Sequence, residues 1–214
     1  MERVSDLLNT QNGQKNYHEE PSECPQCKEE KETTDKGICL DCYVENMRKA
    51  KIERKYEAIK DKIPKYFKDA AKYYPNTKLE SVMYFGSAGK GKTTKAFSQI
   101  LNNLNKVKSF EYIKINRLLN QLNPSINKDI LEIAAKYEQV DVLLLDDLSI
   151  QNYSDASIRY LFMILDYRME HIKTTIITSL EDPYELSDKL PEEVMSRLHA
   201  LCRFEEKKGD SHRW

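Results

Sequence analysis

The stretch of sequence that decides the fold class reads Gly86-Ser87-Ala88-Gly89-Lys90-Gly91-Lys92-Thr93. These eight residues fit the pattern G-x-x-x-x-G-K-[ST] of a phosphate-binding loop at every fixed position. A glycine-rich turn lets successive backbone N–H groups point at a phosphate, and the helix that follows adds its partial positive charge. The stretch therefore predicts a site for a nucleoside triphosphate.

The polar residues of this loop have expected roles. Lys92 is expected to reach the β- and γ-phosphates of ATP, and Thr93 to ligate Mg²⁺ through its hydroxyl. Thr94 is assigned to the same nucleotide site. A purely structural glycine turn is the alternative. The surrounding sequence disfavours that alternative, because a strand candidate at residues 79–85 precedes the loop and an amphipathic helix at residues 92–105 follows it.

Two adjacent carboxylates end an apolar stretch further along, where residues 142–147 read Val-Leu-Leu-Leu-Asp-Asp. An almost wholly apolar run is typical of a strand buried on both faces, which has no packing use for two acids. Beside the phosphate loop, Asp146 is expected to hold Mg²⁺ and Asp147 to polarise the attacking water. Capping of a helix is the alternative, since aspartate is a good N-cap residue.

Strand and helix candidates alternate along the second two thirds of the chain. This alternation predicts an α/β fold in which a parallel sheet is covered by helices on both faces. The strand candidates are residues 79–85, 110–115, 140–145, 174–178 and 200–204. The helix candidates are residues 92–105, 128–138, 155–171 and 191–198.

Length and composition bound the remaining classes. The 214 residues suffice for one α/β domain and a small accessory module. Charged residues make up 32% and hydrophobic residues 40%, which excludes collagen-like and wholly disordered chains. The sequence has no apolar run of about eighteen residues, so no membrane span is expected. The polar sequence of residues 1–20 predicts a loose arm with a short helix at residues 4–8. It lacks the pattern of a signal peptide, so a cytoplasmic location is expected.

Four cysteines precede the α/β region in two pairs, Cys24 with Cys27 and Cys39 with Cys42. Each C-x₂-C pair presents two thiolates to one metal ion, and four thiolates make a closed tetrahedral Zn²⁺ site. Two disulfides or free thiols are the alternatives, and a cytoplasmic setting argues against disulfides. Cys202 lies in an apolar segment and is expected to be a buried small side chain.

The charge distribution suggests how the chain is divided. Residues 1–42 carry five Lys/Arg against ten Asp/Glu, and residues 43–78 carry eleven against five. The predicted layout is an arm and zinc module at residues 1–44, a linker helix at 45–63 and an α/β domain at 64–214. The basic run fits either nucleic-acid binding or an ordinary solvated helix face. A second candidate for nucleic-acid contact combines Tyr112 with Lys106, Lys108, Lys114 and Arg117.

Several segments occur in the order and spacing found in one ATPase family. They are residues 86–93, 143–148, Ile164-Leu-Asp-Tyr-Arg168, Thr175-Ile-Ile-Thr-Ser179, Glu193-Val-Met-Ser-Arg197-Leu198, the segment 63–67 and the ending 209–213. Over residues 60–214 the chain resembles the AAA+ ATPases of the DnaC/DnaI helicase-loader type, whose close relative is the transposition ATPase IstB.

The resemblance implies a five-stranded AAA+ core, assembly of like subunits through their ATP sites, and action beside a ring helicase. Arg197 matches the arginine finger that reaches the γ-phosphate of a neighbouring subunit, which gives a catalytic set of Lys92, Asp147 and Arg197. An exposed ion pair is the alternative for Arg197. For Arg168, a subunit interface and a snorkelling surface position are both open.

DnaI-type loaders also resemble this chain in having a zinc module ahead of the ATPase. The resemblance implies that residues 1–60 dock a replicative helicase, which the ATPase delivers to single-stranded DNA. The compactness of the chain suggests a phage or mobile element as its source. An IstB-like transposition ATPase and a protein that only sequesters a helicase are the alternatives.

The sequence departs from the family in two places. The Asn expected after the strand 175–179 is replaced by Leu180, which leaves Ser179 or Thr178 to orient the attacking water. The sequence continues for ten residues after Phe204, so no helical lid is expected. Slow hydrolysis, with ATP acting mainly as an assembly switch, is therefore expected.

Overall fold

The computed structural model describes residues 22–149 and 154–208. The chain divides into two compact units, Met1–Glu53 and Arg54–Trp214. The helix predicted at residues 4–8 and the ending 209–213 lie outside the described residues. Within the described residues, no helix is both long enough and apolar enough to cross a bilayer.

The first unit is built around the cysteines. Strands β1 (Ser22–Glu23) and β2 (Glu30–Lys31) pair antiparallel, and a bridge joins Thr33 to Cys39. Helix α1 (Leu40–Ile59) starts directly after the third cysteine, five residues earlier than the predicted linker helix. It ends four residues before the predicted end, where a 3₁₀ turn, Lys60–Lys62, replaces the α-helix ahead of Pro64.

The second unit contains a five-stranded parallel sheet, which confirms the predicted fold class. Its strands are β3 (Val82–Phe85), β4 (Phe110–Lys114), β5 (Val142–Leu148), β6 (Thr174–Ser179) and β7 (Arg203–Glu206). Their order across the sheet is β4-β5-β6-β3-β7. The strand that leads into the phosphate loop therefore lies between β6 and β7, and β5 lies between β4 and β6.

Helices cover both faces of this sheet, as predicted. The larger ones are α3 (Lys92–Asn102), α5 (Ile130–Gln139), α6 (Asp155–Glu170) and α8 (Glu192–Leu201). Three short helices were not predicted: α2 (Ala70–Tyr73), α4 (Ile115–Gln121) and α7 (Pro183–Ser187). The strand predicted at residues 200–204 begins three residues later than predicted, at Arg203. The reason is that α8 continues through Leu201 and the Cys202 backbone N–H still donates to the Leu198 carbonyl oxygen.

The alternation of side chains along β5 shows how the two faces are filled. Leu143 and Leu145 belong to one buried cluster, which includes Leu161 and Leu165 of α6. Val142 and Leu144 belong to the other cluster, which includes Phe97 of α3. Because successive strand residues point to opposite faces, an apolar run such as residues 142–145 requires cover on both sides.

Arg168 corrects both interpretations made from the sequence. Its side chain is 0% exposed, so it neither snorkels nor faces a subunit interface. The guanidinium donates to the Thr175 hydroxyl and to five backbone carbonyls, which belong to Tyr137, Glu138, Val140, Asp141 and Thr174. Burial lowers the pKa of Arg168 to about 10. The residue joins the ends of α5 and α6 to the start of β6.

Candidate functional site

The phosphate loop runs from the end of β3 to the start of α3. Gly86 has φ +124°, and a Cβ there would lie 3.0 Å from the Lys207 carbonyl oxygen, so both backbone conformation and space require glycine. Gly91 is the N-cap of α3 with φ +74°, a left-handed conformation that glycine adopts at little cost. The loop thus ends with the N-terminal N–H groups of α3 beside it, as anion binding requires.

Lys92 folds back over its own loop. Its side chain is buried, and Nζ donates to the carbonyl oxygens of Gly86 at 2.6 Å and Ser87 at 2.8 Å. Ser87 and Ala88 are exposed, so the loop is open to solvent on one side. The two carbonyl oxygens therefore hold the Lys92 ammonium inside the loop, where the expected β- and γ-phosphates would lie.

Asp146 is the buried carboxylate of the site, with 3% exposure. Its Oδ1 accepts from the hydroxyls of Thr93 at 2.8 Å and Thr178 at 2.7 Å, and its Oδ2 accepts from the Tyr112 hydroxyl at 3.1 Å. The expected Mg²⁺ ligands Thr93 and Asp146 are therefore brought together. A hydroxyl and a carboxylate so close are the oxygen ligands that a small, hard cation prefers, and the donor set fits Mg²⁺.

Asp147 lies beside it in an unusual backbone conformation. The pairing of β5 with β6 shifts register between Leu145 and Leu148, and Asp147 has φ +59°. Non-glycine residues in the left-handed region are uncommon and are concentrated at functional sites. The Asp147 carboxylate accepts from Lys114 Nζ at 3.0 Å, and this bond raises the pKa of Lys114.

Thr178 is the one of the two proposed Asn substitutes that contacts both acids. Its hydroxyl donates to Asp146 and accepts from the Asp147 backbone N–H at 3.0 Å. The Ser179 hydroxyl instead bonds to the carbonyl oxygens of Leu148 at 2.8 Å and Glu181 at 2.9 Å. Ser179 therefore fixes the loop after β6, while Thr178 positions the carboxylates.

Tyr112 and Lys114, which the sequence offered as candidates for nucleic-acid contact or as an ordinary solvated surface, both contact the acids of this site. Burial raises the pKa of Tyr112, and Asp146 raises it further. The register between strands β4 and β5 could have located both residues beside the acids. In this register Tyr112 pairs with Leu144 and Lys114 pairs with Asp146.

The four basic residues considered as a nucleic-acid contact around β4 lie near opposite ends of this strand. Lys106 and Lys108 precede this strand, whereas Lys114 and Arg117 lie at and beyond its other end. An extended chain rises about 3.3 Å per residue, so the six steps from Lys108 to Lys114 separate the two pairs by about 20 Å.

Arg197 lies on α8 and makes contacts within its own chain. Its Nε pairs with the Asp166 carboxylate of α6, and its guanidinium lies 5.2 Å from the centre of the Phe162 ring. The side chain remains one-third exposed. The ion pair that the sequence analysis held as the alternative is therefore present, and a reach to a neighbouring subunit would require Arg197 to leave Asp166.

The four cysteine sulfurs of the first unit lie within 4.8 Å of one another. The Cys27 and Cys39 sulfurs are 3.7 Å apart, and a tetrahedron with Zn–S bonds of about 2.3 Å has edges of about 3.8 Å. The backbone N–H of Cys39 donates to the Cys24 sulfur and lowers the pKa of that thiol to about 6. The spacing of the four sulfurs fits Zn²⁺. Cys202 is buried and lies outside the cluster.

Comparison with known sequences places these features in a family context. The family model described as IstB-like ATP binding protein matches residues 46–214. The chromosomal replication initiator protein DnaA of Onion yellows phytoplasma (strain OY-M) is 30% identical over 145 residues, which are 65% of this chain and 27% of DnaA. The match thus covers about a quarter of the length of the curated relatives.

Solved structures show the same architecture. The crystal structure of DnaI aligns with a TM-score of 0.54 and 26% identity, over 68% of this chain and 79% of DnaI. The crystal structure of the DnaC helicase loader aligns with a TM-score of 0.53 and 22% identity, over 67% of this chain and 86% of DnaC. The second likeness, at this identity, concerns the fold alone.

Proposed function

Since this chain belongs to the family of IstB-like ATP-binding proteins, we propose that it is an ATP-dependent loader of a replicative DNA helicase. In this proposal the first unit binds the hexameric helicase, and the ATPase delivers it to single-stranded DNA. The observation that carries the proposal is the combination of a DnaI-like ATPase with a four-cysteine cluster ahead of it.

In the proposed nucleotide site each residue has a role. The backbone amides of residues 86–91 and the Lys92 ammonium bind and orient the triphosphate, and Thr93 and Asp146 hold Mg²⁺. Asp147 accepts a proton from the attacking water and Thr178 positions Asp147 through its backbone N–H. Bound Mg²⁺ supplies neutralisation of the charge that develops on the phosphoryl group.

Assembly of like subunits completes this site in the proposal. Arg197 leaves Asp166 and places its guanidinium at the triphosphate of the adjacent subunit, where it stabilises charge in the transition state. Leu180 in place of the expected Asn, together with the ion pair on Asp147, favours slow turnover and a use of ATP mainly as an assembly switch.

The proposed layout keeps residues 1–44 as the helicase-binding zinc region and residues 64–214 as the ATPase, and helix α1 with the 3₁₀ turn after it serves as the linker. The excess of acidic residues in positions 1–42 favours a basic face on the partner and disfavours direct binding of phosphates by this region.

Co-purification tests the proposal. The wild-type chain, Cys24→Ala and Lys92→Ala are each mixed with the replicative helicase and, separately, with a transposase, with and without ATP. The loader hypothesis predicts retention of the helicase, loss of retention in Cys24→Ala, and loss of delivery to single-stranded DNA in Lys92→Ala. Retention of the transposase alone would contradict it.

A chain that only sequesters a helicase is the second candidate. It is separated from the loader by Lys92→Ala and Asp147→Asn, because sequestration would survive both changes whereas delivery would not.

A further inference from the structure

The segment between helix α1 and the sheet is fixed by its inward side chains. Ile63 and Ala70 are buried, and the Phe67 ring stacks on Phe97 with 4.7 Å between ring centres and 16° between ring planes. These inward positions are spaced by four and three residues, as on one face of a helix. The other side of the segment is thereby held facing solvent.

This outward side carries aromatic and basic side chains, which we call the aromatic–basic strip. Its members are Lys65, Tyr66, Lys68, Lys72 and Tyr73. Tyr66 is 92% exposed and Tyr73 is 68% exposed. Lys72 pairs with Asp69, and within residues 22–149 and 154–208 no carboxylate lies in ion-pairing distance of Lys65 or Lys68.

We propose that the aromatic–basic strip binds single-stranded DNA. Exposed tyrosine rings offer stacking faces to unpaired bases, and the lysines next to them in the chain, Lys65 and Lys72, offer charge to the phosphates. Residues 60–78 contain six lysines against two acidic residues, and this excess of positive charge favours a polyanion over a basic or apolar partner. The inference rests on the single-stranded DNA partner of the proposed function, and it supplies the residues that contact this DNA.

Fluorescence anisotropy with a labelled oligo(dT) probe and the full chain tests the strip. Each of Tyr66→Ala and Tyr73→Ala is expected to weaken binding about tenfold, because stacking of one base on one aromatic ring is typically worth that much. The pair Lys65→Gln and Lys68→Gln is expected to reduce the slope of log K against log salt by about 1.4, since each single-strand phosphate contact contributes about 0.7.

Tyr184→Ala is the matched control. Tyr184 is 84% exposed, but its neighbours Asp182, Glu185 and Asp188 are acidic, so oligo(dT) binding should be unchanged. Thermal unfolding and binding of a fluorescent ATP analogue are measured on every variant and should match the wild type, because the strip lies outside the nucleotide site.

Equal oligo(dT) binding by the wild type and by Tyr66→Ala/Tyr73→Ala overturns the proposal. So does a wild-type chain that binds the ATP analogue but no oligo(dT), in which case an acidic protein is the remaining partner for the strip. Failure to bind the ATP analogue, with oligo(dT) binding still dependent on the two tyrosines, contradicts the proposed ATPase function and leaves the strip supported.

Discussion

At the residue scale, the contact between Lys114 and Asp147 has a direct consequence for turnover. The Lys114 ammonium pairs with the Asp147 carboxylate, which is proposed to accept the proton from water. This ion pair must therefore break before Asp147 can act as the base. Lys114→Ala should therefore raise basal ATP hydrolysis about two- to fivefold, the range set by a partly exposed ion pair.

Lys136→Ala is the control for this change. Lys136 and Lys114 have the same side-chain exposure of 53%, but Lys136 pairs with Glu111 away from the two acids. Steady-state phosphate release should be unchanged in Lys136→Ala. A lower rate in Lys114→Ala than in the wild type would mean that Lys114 helps the reaction rather than restrains it.

The buried guanidinium of Arg168 gives a second prediction. Arg168→Met removes the donors that serve the carbonyls of Tyr137, Val140 and Thr174 and should lower the free energy of unfolding by about 3–5 kcal/mol. Arg159→Met, an exposed change on the same helix, should cost less than about 0.5 kcal/mol. Urea unfolding measures both, and equal stability of the two variants would contradict the structural role.

Residue roles were predictable to different degrees. The sequence suffices to bring Lys92, Thr93 and Asp146 into one site, because the phosphate loop and the acids both follow strands. The side chains that form hydrogen bonds to the two acids were not predictable from these patterns. Tyr112, Lys114 and Thr178 reach Asp146 or Asp147 from neighbouring strands, and this depends on strand order and register, which spacing along one chain does not contain.

At the scale of the elements, the cysteine module is expected to depend on a bound zinc ion for its structure. Its described strands are two residues long, and its buried cluster consists of three cysteines, which is too small a core to fold alone. Removal of zinc with a chelator should therefore make residues 22–42 sensitive to protease while the sheet domain stays resistant.

Cysteine variants sharpen this test. Cys24→Ala should abolish binding of one zinc ion per chain, measured by native mass spectrometry, and should reproduce the protease sensitivity. Cys202→Ala should keep the zinc ion, because this buried thiol lies outside the cluster. Full zinc content in Cys24→Ala would contradict a four-cysteine site.

The elements themselves were predictable where an apolar pattern was long. Strand β5 and helix α6 fall close to their predicted positions, while the short helix α4 was missed. Its buried residues Ile115, Leu118 and Leu119 have helical spacing, but this pattern overlaps the last residue of the β4 candidate. The fifth strand was misplaced for a related reason, since a helix of apolar residues and a buried strand look alike over three residues.

At the scale of the whole molecule, the proposal requires subunits to act on each other's nucleotide. Lys92→Ala and Arg197→Ala should each be inactive alone. A mixture of the two should regain part of the wild-type hydrolysis, because one subunit supplies an intact loop and the other an intact arginine. Phosphate release by the mixture measures this recovery.

Arg203→Ala is the control, because Arg203 is half exposed and forms only surface ion pairs with Glu80 and Glu205 among the described residues. It should retain wild-type turnover. Full activity of Arg197→Ala alone, or a mixture as inactive as its components, would show that Arg197 does not act between subunits.

The central claim is that residues 86–93 and the two acids form a site for ATP and Mg²⁺. Isothermal titration calorimetry of the zinc-loaded chain with ATP, with and without Mg²⁺, measures this most directly. We predict saturable binding of one ATP per chain that is strengthened by Mg²⁺ and lost in Lys92→Ala. No heat of binding in the folded wild type, or equal binding by Lys92→Ala, would contradict the account.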